Sequence, residues 1–220
     1  MFDKRLILFC GHYGSGKTNI AVNAAVKIKE TYDNVALADL DIVNPYFRTK
    51  DSSQLLNQKG IRLICSDYAN SNVDIPALPQ DMYAVTDDKS LKCILDIGGD
   101  DRGALVLGRI SDKIKEENNY EMLMVVNSFR PLTRDVDSLI EVMCEIEAAA
   151  RMKFTGIVNN SNLGEETTAN DVMYSVEYAN SISKVTNLPV VFTSVKEELF
   201  SELQGKIDNL FCLKLQDKIL

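Results

Sequence analysis

The chain has 220 residues, 45% of them apolar and 25% charged, which is enough to bury a core of ordinary size in one large α/β domain. Its net charge of −8 and pI near 4.8 argue against a general affinity for nucleic acid, whose phosphates reward clustered Lys and Arg. No apolar run is long enough to span a bilayer, and Cys10, Cys65, Cys93, Cys144 and Cys212 are dispersed without a C-x-x-C pair, so the expectation is a cytoplasmic protein with reduced thiols and no membrane or nucleic-acid partner.

The first apolar run, Arg5–Cys10, is too short for the core of a signal peptide and leads straight into a glycine loop, so it is predicted as a buried strand. The loop Gly11-His12-Tyr13-Gly14-Ser15-Gly16-Lys17-Thr18 matches G-x-x-x-x-G-K-[ST] in full and precedes a helix predicted over Lys17–Thr31. Glycines there let backbone N–H groups wrap a phosphate, and the helix presents its positive end to the same anion. Lys17 can reach the terminal phosphates, and the Thr18 hydroxyl can ligate Mg²⁺. Asn19, next in the helix, joins Gly11 to Thr18 in the nucleotide-contacting set. His12 is the lone histidine; it either touches phosphate or partner from within the loop or points to solvent.

A second strand, Val35–Leu40, ends in Asp39-Leu40-Asp41. Asp41 can hold a Mg²⁺-bound water or orient the attacking water; the plain alternative is a strand-ending turn, where Asp is common. After a third strand, Ile61–Cys65, residues 66–90 carry Pro76, Pro79 and many turn formers, predicting a long loop with one short helix at most. Strand Lys92–Ile97 ends in Asp96 and is followed by Gly98-Gly99. That pattern suits an acid holding Mg²⁺ through water, with Gly98 or Gly99 donating a backbone N–H to the γ-phosphate. An ordinary strand and glycine turn would read the same way.

The remaining elements alternate: helix Gly103–Glu117, strand Met122–Asn127, helix Thr133–Arg151, strand Phe154–Asn159, helix Thr168–Thr186, strand Val190–Ser194 and helix Glu197–Leu213. The strands are short and nearly all apolar, as in a sheet covered on both faces. The predicted architecture is a three-layer P-loop NTPase fold: α/β, with a mostly parallel sheet of about seven strands, helices on both faces, and residues 1–220 as one nucleotide-binding domain. Ligands in such sheets sit at the carboxyl ends of the strands. Asn159, at one such end, opens Asn159-Asn160-Ser161-Asn162-Leu163-Gly164, which suits either a base edge or a polar loop. The guanine motif N-K-x-D is absent from the chain, which tilts the base toward adenine.

With these motifs in order, the chain resembles the MinD/ParA-type (SIMIBI) P-loop ATPases, the group that includes CobQ/CobB-like nucleotide-binding domains. GHYGSGKT, DLDIVNPYFR and VNNSNLGEET together look like a bacterial group carrying this domain alone. The resemblance implies ATP and Mg²⁺ as ligands, an ATP-dependent homodimer, and slow ATPase activity acting as a timer on a protein partner. By motif, Lys17 and Asp41 match the catalytic residues, Thr18, Asp41 and Asp96 the metal-holding set, Gly99 the γ-phosphate contact, and Asn159 the base contact. Where many of these ATPases have K-G-G-x-G-K-T, this chain has His12 in place of the extra lysine, implying slow or partner-dependent hydrolysis. The segment Ile207–Leu220 has mixed charge and is predicted to be a packing helix rather than a membrane one.

Asn44-Pro45-Tyr46-Phe47-Arg48 would be the switch or contact loop. The competing reading is a small-molecule ligase or kinase of the CobB or dethiobiotin-synthase type, with residues 66–90 and Arg130 around a substrate pocket. A metallochaperone would need clustered Cys or His, which the spacing does not offer.

Overall fold

The computed structural model describes residues 1–40, 52–65, 80–99 and 101–215. Among the described residues eight strands occur in chain order: β1 (Leu6–Cys10), β2 (Val35–Leu40), β3 (Arg62–Cys65), β4 (Lys92–Ile97), β5 (Tyr120–Val126), β6 (Gly156–Asn159), β7 (Val190–Lys196) and β8 (Leu210–Leu213). Between them lie α1 (Lys17–Lys29), α2 (Ser53–Gln58), α3 (Ala84–Asp87), α4 (Asp101–Glu117), α5 (Val136–Ala150), α6 (Ala169–Thr186) and α7 (Glu197–Leu203). The strands form one sheet in the order β3-β2-β4-β1-β5-β6-β7-β8, and every pairing is parallel.

The core explains why the strands read as unbroken apolar runs. In β1, Leu6, Leu8 and Cys10 enter one buried cluster, while Ile7 and Phe9 enter another on the opposite face. The first cluster lies under α4 and α5 (Leu107, Ile110, Met143, Ile146), and the second under α1 (Ile20, Ala21, Ala24). A strand buried on both faces cannot alternate polar with apolar residues. The short apolar loop-to-loop runs were therefore sufficient to predict the parallel sheet.

One expectation needs correction. The helix predicted over Glu197–Leu213 ends at Leu203, and the sheet, predicted at about seven strands, has eight among the described residues. Gly205 follows at φ 82°, a conformation that stops a helix, and the chain then forms β8 beside β7. Its Leu210-Phe211-Cys212-Leu213 alternates half-buried with buried, and Phe211 meets Phe192 at 4.9 Å and Phe2 at 5.7 Å between ring centroids. The apolar spacing of 207–213 fits both periods, so the pattern could not choose between helix and edge strand. Residues 216–220 of the predicted packing helix lie outside the described residues. Within 66–90, the described part holds a 3₁₀ turn at Gln80–Tyr83 and the single turn α3. No described helix is long and apolar enough to cross a membrane.

This strand order sets the place of the site. The chain leaves β1 toward β2 and β3, returns to β4, then passes β1 to reach β5. The direction reverses at β1, and the crevice for ligands in open α/β sheets lies at such a switch, beyond the carboxyl ends of the strands. The loops that follow β1, β4 and β5 are neighbours there.

Candidate functional site

The loop after β1 is wound as phosphate binding requires. Gly11, Gly14 and Gly16 sit at φ 150°, 76° and 88°, where a side chain would be strained. Ser15 N donates to His12 O at 3.2 Å, closing the turn. Gly16 caps α1 without a side-chain hydrogen bond, and the first turn of α1 has no acidic residue. Helices α5 and α6 differ. Asp135 accepts from Ser138 N at 2.9 Å, and Thr168 forms a reciprocal capping box with Asp171. The positive end of α1 thus has no side-chain cap and no first-turn carboxylate to compete with an external anion.

Lys17 is buried within this loop, 5% exposed, and its Nζ donates to His12 O at 3.3 Å. Thr18, at the next position, is 8% exposed. The Ser15 hydroxyl is buried with no hydrogen-bond partner among the described residues. A hydroxyl buried against this much backbone normally finds a partner, so its environment suits an added acceptor. His12 turns its ring back on the loop, Nδ1 donating to Tyr13 O at 3.1 Å, while the Tyr13 side chain is exposed.

The turn after β4 closes the cradle from the side. A Cβ on Gly99 would lie 2.6 Å from Tyr13 N and 2.9 Å from Lys17 Nζ. Gly99 therefore touches the loop with bare backbone, and its N–H belongs to the same concavity. Gly103, in the first turn of α4, is also obligatory, because its Cβ would stand 2.5 Å from Gly98 N. The turn Gly98-Gly99 is thus held between α4 and the phosphate loop.

Asp96 is fully buried at the end of β4 and lies in register with Phe9 of β1 and Asp39 of β2. The alternation of each strand puts all three on the face covered by α1. Asp39, the first acid of the D-x-D motif, is thereby the neighbour of Asp96, a pairing that only the strand order reveals. Asp41 lies outside the described residues, as do Asn44 to Arg48. Cys10 is fully buried beside Lys17 and Asp96, and burial pushes its thiol far above the usual range, so it has no thiolate character. Burial likewise pushes Cys93 up to about 12.

The loop after β6 reaches the cradle through Asn160. Its Nδ2 donates to Ser15 O at 2.6 Å, and Ser194 Oγ of β7 donates to its Oδ1 at 2.5 Å. Asn160 is 2% exposed. It is a strut from β6 and β7 to the phosphate loop, and it packs so closely that a Cβ on Gly16 would meet Nδ2 at 2.2 Å. Asn159, the residue predicted to meet the base, is fully buried. Its Nδ2 donates to Ser175 Oγ at 2.9 Å and its Oδ1 accepts from Ser161 N at 3.2 Å. Asn19 is half-buried on α1, and its backbone carbonyl accepts from Asn23 Nδ2 at 2.8 Å. Sequence reasoning grouped Asn160 with a polar loop; a second Asn after a β-strand gives no signal of a long-range strut.

These residues fit a bound phosphate chain with Mg²⁺. Lys17, the α1 N-terminus, the bare Gly99 and the partnerless Ser15 hydroxyl supply cation and donors, and Thr18 with Asp96 supplies hard oxygen ligands. Among the described residues, no three His, Cys, Asp or Glu side chains come together as a ligand set. A Mg²⁺ that takes most of its ligands from substrate phosphates and water needs no such set.

No protein-family model matches the chain, and no curated protein matches it. Solved structures do match. Cell division protein FtsY from Thermotoga maritima has 19% identity and a TM-score of 0.58 over 86% of this chain and 61% of its own. FtsY from Mycoplasma mycoides has 19% identity and a TM-score of 0.54 over 89% of this chain and 62% of its own. The signal recognition particle 54 kDa protein from Aeropyrum pernix, in complex with GDP, has 16% identity and a TM-score of 0.52 over 86% of this chain and 40% of its own. The chain spans about three fifths of the length of the two FtsY proteins. At these identities the likeness is one of fold, and the fold is that of the α/β P-loop nucleoside triphosphatases.

Proposed function

We propose that this chain binds a purine nucleoside triphosphate with Mg²⁺, hydrolyses it slowly, and acts as a nucleotide-driven switch on a protein partner. The observation that carries the reading is the cradle itself: Gly11 to Thr18 wound around a buried lysine and closed by a glycine at 99 that tolerates no side chain. In this reading Lys17 pairs with the terminal phosphates, Thr18 and Asp96 hold Mg²⁺, Asp41 orients the attacking water and Asn19 belongs to the nucleotide-contacting set. Asn159, fully buried with its amide engaged by Ser175 and Ser161, supports the loop after β6 from within instead of meeting the base. Bound Mg²⁺ would neutralise charge developing on the phosphate oxygens.

Two observations pull on the base in opposite directions. The chain lacks N-K-x-D, which favours ATP, while the similar Aeropyrum pernix structure holds GDP, which favours GTP. The MinD/ParA-type placement rests on the sequence motifs; the similar solved structures are FtsY and the 54 kDa protein. A protein partner or a second copy is supported by exposed apolar side chains on loops at the carboxyl ends of the strands: Tyr13 after β1, Leu132 after β5 and Leu163 after β6. The ligase or kinase alternative needs a substrate pocket beside the phosphates. A pocket of about 450 Å³ lined by Lys115, Tyr120, Cys144 and Met152 lies at the opposite end of the strands, away from the phosphates.

Sedimentation with ATP, ADP, GTP, GDP and no nucleotide, all with Mg²⁺ and with phosphate release followed in parallel, tests the reading. A dimer specific to one triphosphate, with slow turnover, is the expected result. Lys17→Ala should abolish tight binding of either nucleotide, because it removes the charge-assisted contact to the terminal phosphates. Unchanged affinity in that variant would remove the basis of the assignment.

A further inference from the structure

The loop after β5 brings a cation to the phosphate cradle that no motif announces. Arg130 is exposed, and its Nε donates to Gly14 O at 2.8 Å. The guanidinium lies over the bare face of Gly14: a Cβ there would be 3.3 Å from Nε and 3.6 Å from Cζ. The Arg130 side chain makes no other hydrogen bond and meets no carboxylate among the described residues, so Nη1 and Nη2 keep all four of their N–H donors.

The loop that carries Arg130 is held firmly. Asn127, 1% exposed, accepts at Oδ1 from Phe129 N and donates from Nδ2 to Asn162 O at 3.3 Å. Its carbonyl accepts from Arg130 N at 3.1 Å and from Thr133 Oγ1 at 3.1 Å. Tyr178 of α6 donates its hydroxyl to Thr133 O. An arginine braced this way loses little entropy when it takes up a ligand, and its fork suits phosphate oxygens.

Charge adds a second argument. A chain of net charge −8 repels a polyanion at long range, so binding must come from cations concentrated at the site. Lys17 and the α1 N-terminus serve the centre of the cradle, and the partnerless Ser15 hydroxyl beside them marks a place for an acceptor. Arg130 is the further cation tied directly to that loop. Resting on the reading of the loop as a nucleotide cradle, we propose that Arg130 pairs with the terminal phosphate of a bound triphosphate, so that the site discriminates triphosphate from diphosphate.

The test is calorimetric titration of MgATP, MgADP, MgGTP and MgGDP into the wild type, Arg130→Ala, Arg130→Lys and Lys17→Ala. For the preferred base, Arg130→Ala should weaken triphosphate binding about tenfold or more and diphosphate binding by less than about twofold. Arg130→Lys, which keeps the charge and loses the fork, should recover part of the triphosphate affinity. Equal loss for both nucleotides would mean that the arginine only braces Gly14, and no loss for either would mean that it does neither; both results overturn the proposal. Binding that is absent in the wild type, or unaffected by Lys17→Ala, would instead bring down the cradle reading, and the proposal with it.

Discussion

Replacing Gly99 by Ala tests the cradle with one methyl group. Ordinary van der Waals contact begins near 3.4 Å, and the new Cβ would stand 2.6 Å from Tyr13 N, a backbone atom that cannot rotate away. Either the phosphate loop or the Gly98-Gly99 turn must retreat by about 0.8 Å, and the turn is already wedged against Gly103. Over-packing of this kind costs about 1–3 kcal/mol. If the phosphate loop yields, its N–H groups leave their positions, and nucleotide affinity should fall about 10- to 100-fold, since each tenfold corresponds to about 1.4 kcal/mol. If the turn yields, the loss should fall on the triphosphate, whose terminal group the Gly99 N–H would meet in the proposed reading. Titration of tri- and diphosphate, with thermal unfolding of the empty protein as control, separates the two routes. Wild-type affinity for both nucleotides in a normally folded Gly99→Ala variant would refute the placement of Gly99 against the loop.

Two further changes probe what holds the site in place. Asn160→Ala should leave Ser15 O and Ser194 Oγ buried without their shared partner, costing about 1–3 kcal/mol of stability in denaturant unfolding and weakening nucleotide binding as well; a loss of stability with unchanged binding would deny its role as a strut. At the other end of the sheet, Arg5 is buried beneath β1, donating to the carbonyls of Val85 and Leu91 and clasping Glu117, whose carboxyl also meets Lys89 at 2.7 Å. Hydrogen bonds from Arg5, then from Lys89, hold Glu117 at about 2 against an ordinary 4.5, which at this partly solvated site contributes about 1–2 kcal/mol. Because the folded value is the lower one, that stability is present above pH 4.5 and is lost as pH falls through about 2. The stability gap between wild type and Glu117→Gln should therefore narrow as pH falls from 5 toward 2, and a gap constant over that range would show that the charge contributes nothing.

Much of the fold could be read from the sequence because it rests on local signals. The five-residue run Leu6–Cys10 is entirely apolar because both faces of β1 are buried, and the glycine loop and lysine that follow have one familiar conformation. Helix α6 begins where Thr168 and Asp171 form their box. The end of the chain was harder, since Ile207, Leu210 and Phe211 satisfy a helical period as well as a strand one. Only Gly205 at φ 82° and the open edge of β7 decide for β8. Those are tertiary facts that no window of residues contains.

The site divides along the same line. Gly11 to Thr18, Asp96 and Gly99 are legible because each stands directly after an apolar strand, where an α/β sheet presents its ligands. The contacts of Asp39, Asn160 and Arg130 are not legible, because each is made with a neighbour distant in the chain. Asp39 meets Asp96 only once β2 is known to lie beside β4. Asn160 meets Ser15 across 145 positions, and Arg130 meets Gly14 across 116. The motif supplies the phosphate loop; the loops after β5 and β6 fix its shape through side chains that belong to no motif. A relative that kept GHYGSGKT while changing Asn160 and Arg130 should keep the bare cradle and lose its bracing. Grafting those two residues, and not the motif alone, is then the change that should carry triphosphate selectivity from one chain to another.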